Sequence, residues 1–140
     1  MEWRSDRRSY IGRLFPGEQV IGSILNFARG EGIRGASLHA IGAVSQARIG
    51  FYRPEEKRYE TRELTENLEV LALTGSLAHS ERGPMVHAHV VLGRSDFTVL
   101  GGHLFEASVS VTLEVFLSPT ATRLERALDP RFDLSLLRLT

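Results

Sequence analysis

Along the chain the spacing of apolar positions changes several times, and each change predicts an element. From Glu18 the apolar positions are Val20, Ile21, Ile24, Leu25 and Ala28, the three-and-four spacing of one helix face. Pro16-Gly17 marks a turn before it, Glu18 suits the first helical turn, Arg29 the last, and Gly30 the stop. Residues 10–14 predict a first short strand. Residues 36–52 read as strand material, with Ala47, Ile49 and Phe51 alternating with Gln46, Arg48 and Gly50. Gly42 and Ala43 predict a bend or bulge inside it. Residues 53–66 are polar and read as a loop with a short strand near Tyr59. Residues 68–77 form an apolar run without clean alternation, which predicts a central strand buried on both faces. A loop at 80–84, a strand at 86–93, a turn at Arg94-Ser95-Asp96 and a return strand at 97–105 follow, the last interrupted by Gly101-Gly102. Residues 107–117 have the cleanest period of two. Ala107, Val109, Val111, Leu113, Val115 and Leu117 fall on one face, and Ser108, Ser110, Thr112, Glu114 and Phe116 on the other. The tail holds a polar patch at 118–126, Asp129-Pro130, and an apolar close at Leu134, Leu136 and Leu137. One main helix with about six or seven strands in hairpin order predicts an α+β fold, a mostly antiparallel rolled sheet, formed as a single domain over residues 1–140.

Composition narrows the function classes. Of 140 residues, 42% are hydrophobic and 24% charged, ordinary for a globular domain. No apolar run reaches the roughly 18 residues of a helical membrane span, and no apolar stretch follows the first residues as a signal peptide requires. The expected address is cytoplasmic, without membrane contact. Cysteine is absent, which excludes disulfides and thiolate chemistry. The formal net charge is +0, whereas a dedicated nucleic-acid binder carries a basic excess or stripe. Arg4, Arg7, Arg8 and Arg13 are diluted by Glu2 and Asp6 and read as solvated surface. A net charge near zero also permits self-association. No GxSxG, Walker or GxGxxG pattern occurs, and the aromatics lack the basic interleaving of a base-stacking surface.

The chemistry concentrates in histidine. His87-Ala88-His89 on a strand places two imidazoles on one side, with Cα atoms about 6.5–7 Å apart. A three-residue turn at 94–96 pairs Gly93 with Phe97 and sets His87 opposite His103, on the same side of the sheet; a bulge at Gly101-Gly102 would reset that register. Three histidines with an open fourth position form the layout of a catalytic zinc site. The same residues also suit a hydrogen-bonded polar group or a subunit interface. Glu114, on the polar face of the following strand, is the candidate general base, ligand or orienting carboxylate, and equally a surface residue. His39 and His79 show no partner pattern and read as ordinary polar residues.

The ordered set Glu69–Ala78 (EVLALTGSLA), His87-Ala88-His89-Val90 and Gly101-Gly102-His103-Leu104 resembles the plants-and-prokaryotes conserved domain, also found in plant AT-hook nuclear proteins. Pro16-Gly17-Glu18, Ile41-Gly42-Ala43-Val44 and Thr112-Leu113-Glu114-Val115 extend the likeness over about residues 10–138. The resemblance implies an α/β roll that assembles as a homotrimer and is related to the acetolactate decarboxylase-like fold, whose enzyme uses a histidine-bound zinc. It makes His87, His89 and His103 the ligands of zinc or another divalent metal ion. Plant members typically lack these histidines. Their DNA contact comes largely from an Arg-Gly-Arg-Pro core that this sequence does not contain, so a nucleic-acid partner is not expected from the likeness. Two function classes stand: a metal-dependent activity on a small molecule, and a non-enzymatic trimeric module that binds DNA or a protein partner.

Overall fold

In the computed structural model, which describes residues 1–139, strands β1 (Glu2–Asp6) and β2 (Ser9–Leu14) precede the helix α1 (Val20–Gly30). Strands β3 (Ala36–Arg53), β4 (Arg58–Leu64), β5 (Leu68–Ser80), β6 (Gly83–Gly93), β7 (Val99–Pro119), β8 (Glu125–Asp129) and β9 (Leu134–Arg138) follow. β3 pairs with β5, β5 with β6, β6 with β7, and β7 again with β3, all antiparallel. This circuit closes the sheet into a roll, as the sequence predicts. β1–β2 extends it along β7, and β4 along β3. The one parallel pairing among the described strands is a single bridge between β5 and β8, His79 to Glu125.

The core fills the roll and the space under α1. Val20, Ile24 and Ala28, spaced one turn apart, are the buried face of α1. They meet an interior that includes Leu38, Val44, Leu73, Leu77, Leu92, Leu113, Val115 and Leu117. Each such side chain contributes roughly 1.5–3 kcal/mol by leaving water.

Several expectations change in the structure. The charged start, read as solvated surface, is exposed and also forms a strand: Trp3 pairs with Gly12 and stacks on Phe27 at 3.8 Å between ring centroids. A Cβ on Gly12 would stand 2.5 Å from the Trp3 ring, so that glycine makes room for the indole. The return strand and the following strand are one element, β7. Gly101-Gly102 is not a bulge against β6, since the register from His89–His103 to Gly93–Val99 runs unbroken. These glycines allow close backbone approach instead: a Cβ at Gly101 would lie 2.5 Å from the Val90 carbonyl oxygen, and one at Gly102 2.6 Å from that of Gly50. The bend expected near Gly42 is present, with φ of 152° and a register shift on both neighbouring strands. That shift turns Val111 outward, 67% exposed, out of the apolar row assigned to it. β5 is buried on both faces only toward its end, at Leu77 and Ala78; earlier one face is open, leaving Leu71 50% exposed.

Candidate metal centre

The β6–β7 hairpin places the histidines. Its loop is longer than a three-residue turn: the Arg94 N–H donates to the Thr98 carbonyl, the Phe97 N–H to that of Arg94, and Phe97 takes a positive φ of 65°. The first pair is therefore Gly93–Val99, and His103 lies opposite His89 rather than His87. A slip of two positions keeps every side chain on its side of the sheet, so the histidines still converge. One ligand nitrogen from each of His87, His89 and His103 lies within 4.8 Å of the others. Ring centroids are 5.2, 5.2 and 5.7 Å apart. A tetrahedral ion with bonds of about 2.1 Å needs nitrogens roughly 3.4 Å apart, so small ring rotations close the set.

The surroundings favour neutral imidazoles. Burial, then the charges of His87, His89 and Arg126, push the His103 pKa down to about 4. Burial, then Arg126 and His89, lower that of His87. Neutral imidazole is the metal-binding form. The Nδ1 of His103 is buried without a hydrogen-bond partner, a costly state unless another acceptor or a metal takes it. The donor set and this orphaned atom fit a divalent cation. Tyr59, from β4, packs on His103 at 4.8 Å, and Phe105 at 4.7 Å, walling one side.

Sequence reasoning missed Arg126. It reaches across from β8, only 8% exposed, and its Nη2 donates to His87 Nδ1 at 3.0 Å and to Ser76 Oγ at 3.2 Å. Its Nη1 donates to the Ser135 carbonyl at 3.0 Å, while Nε is buried and unpartnered. Burial lowers the Arg126 pKa, against an opposing effect of Tyr59. No spacing signal links residue 126 to the hairpin, because β8 touches β5 through one bridge. Glu114 is not brought to the histidines. It sits on the same strand as His103, farther along, with its backbone paired to Arg13 and Ile41, and it lines a surface cavity of about 340 Å³ with Ile41 and Leu71.

The model of the Plants and Prokaryotes Conserved (PCC) domain matches residues 1–121. The chain belongs to this family. This PCC domain is 38% identical to a metal-containing protein of Archaeoglobus fulgidus, covering 99% of this chain and 97% of that one with a TM-score of 0.88. It is 31% identical to a protein of Ralstonia eutropha JMP134 named as a candidate DNA-binding protein, covering 99% and 96% with a TM-score of 0.92. It is 32% identical over 126 residues, 88% of the chain, to the bifunctional protein GlmU of Synechococcus sp. (strain JA-3-3Ab), of whose length it spans 19%. Acetolactate decarboxylase of Bacillus subtilis subspecies spizizenii shares the fold at 11% identity and a TM-score of 0.58, over 87% of this PCC domain and 57% of that chain. The rolled sheet with one helix is thus an acetolactate decarboxylase-like architecture. The β8–β9 hairpin, which carries Arg126, lies beyond the stretch matched by the family model.

Proposed function

We propose that this PCC domain binds a divalent cation, zinc before others, through His87, His89 and His103, and presents it to a small-molecule ligand on a chain that assembles as a homotrimer. The observation that carries the reading is the convergence of three imidazoles, one of which, His103, has its Nδ1 buried without a partner. Imidazole donors suit zinc and its late first-row neighbours rather than magnesium or calcium. The metal-containing relative from A. fulgidus supports it. A bound ion supplies Lewis acidity to a ligand oxygen. The chain holds the nitrogens on one hairpin, and Tyr59 and Phe105 shield His103 from water. Glu114 keeps a part in this reading only across a subunit contact, since its cavity adjoins an exposed apolar face.

Elemental analysis of purified protein beside the His87→Ala/His89→Ala double variant tests the site. The expected result is near one zinc or similar ion per chain, lost in the variant. No metal in either protein, even after incubation with zinc, overturns it and favours the second reading, a non-enzymatic module for DNA or a protein partner. That reading draws on the name of the R. eutropha relative. The net charge of +0 opposes the DNA version, because phosphate neutralisation dominates such affinity; a salt-sensitive shift of a duplex would support it.

A further inference from the structure

A buried guanidinium normally faces a carboxylate. Arg126 does not: its hydrogen bonds go to Ser135, Ser76 and His87, and no ion pair involving it occurs among the described residues. The Nη2–His87 contact requires the Nδ1 lone pair as acceptor. A neutral imidazole has one such lone pair, and its other nitrogen carries the proton. His87 therefore cannot accept from Arg126 and ligate a metal at the same time. Metal loading frees the Nη2 hydrogen given to His87, while Nη2 keeps its bond to Ser76 Oγ. Nε and Nη2 lie on the same edge of the planar guanidinium, and Nε is already buried without a partner. The released edge is a two-donor fork of the shape that takes a carboxylate bidentately. Charge points the same way. A divalent ion next to Arg126 puts three positive charges in a partly buried site whose ligands are neutral, and a counter-anion is needed to offset them. Arg126 also lines a cavity of about 470 Å³ with Arg82, Met85, Leu128, Asp133 and Ser135.

We propose that Arg126 is the anion-recognition residue of this site: on metal loading it exchanges His87 for a small carboxylate held beside the metal. The proposal rests on the metal reading above, and sets the ligand class as a small carboxylic acid. Arg126 itself stands on the β8–β9 hairpin, outside residues 1–121 that the family model matches.

Binding reciprocity makes it measurable without an activity. Zinc affinity of the metal-free protein is measured by competition with a chromophoric chelator at pH 7, in perchlorate, acetate and sulfate buffers of equal ionic strength. The expected result is about tenfold tighter zinc in acetate than in perchlorate, because coupled ligands raise each other's affinity by one common factor. Acetate's own weak hold on free zinc acts in the opposite direction and cannot mimic this. Arg126→Lys and Arg126→Met should still bind zinc and lose the acetate effect. Acetate bound at the open position of the ion would also tighten zinc, so the folded variants carry the test, Arg126→Lys serving where Arg126→Met does not fold. Zinc binding with no acetate effect, or an equal effect in wild type and a folded variant, overturns the role of Arg126 and leaves the metal reading intact. Tightening by sulfate and not acetate overturns the carboxylate class. Absence of zinc binding in every buffer sinks the metal reading, and this one with it.

Discussion

His103 is held between two pressures: its environment refuses it a proton, yet leaves Nδ1 without a partner. In the metal-free protein the unfolded chain protonates His103 near its ordinary 6.5, and the folded chain not until about 4. The stability tied to that difference is complete above pH 6.5 and is lost as pH falls from there toward 4. His87, also lowered, acts in the same direction. Urea midpoints of the metal-free wild type should fall through this window more steeply than those of His103→Gln. Parallel declines would show that the fold does not select neutral His103. At this scale the three histidines were legible and Arg126 was not. An HxH on a strand shares a face whatever the exact pairing, and a two-residue slip of the hairpin preserves that face. Arg126 arrives from a strand whose docking no local pattern encodes, and its polar surroundings read as surface.

Elements show how much the pattern carries. α1 lies where its apolar spacing puts it, but Glu18 stands before its first turn rather than in it. Gln19 at the cap makes no side-chain bond, and Glu18 turns back to accept from the Phe15 N–H at 2.7 Å. The acceptor comes from β7: Glu106 takes the N–H groups of Ile21 at 2.7 Å and Gly22 at 3.1 Å. A carboxylate at a helix start satisfies orphan donors and opposes the dipole. Glu106→Ala should cost about 1–2 kcal/mol in chemical denaturation, and Glu106→Gln less; no change would assign the capping to water. Tertiary capping of this kind leaves no mark within the helix's own sequence. The strands were legible as apolar alternation, whereas their merging into β7 and the outward turn of Val111 depend on cross-strand register, which the bulge at Gly42 sets. The tail's apolar residues mark β9, while the 53–66 stretch hid most of β4 under charged side chains.

For the whole molecule, the roll leaves an apolar surface where Leu71, Phe97, Val99 and Val111 line a cavity of about 730 Å³, with Phe97 92% exposed. Exposed apolar patches of this sort mark contact sites, and on the trimer reading a neighbouring copy covers them. Light scattering should give a mass of three chains for the wild type and of one for Phe97→Asp/Val111→Asp, with the far-UV circular dichroism retained. A single-chain mass for the wild type would reject the trimer. The placement of the three imidazoles within one hairpin, residues 87–103, reaches beyond the native state. Bringing them together closes only a short loop, at small entropic cost, so on the metal reading the unfolded chain would hold an ion as well. A metal that binds both ends of the folding equilibrium moves it by the difference alone. On that reading the ion would serve this fold less as a rivet than as an early guest, present while the sheet is still finding its register.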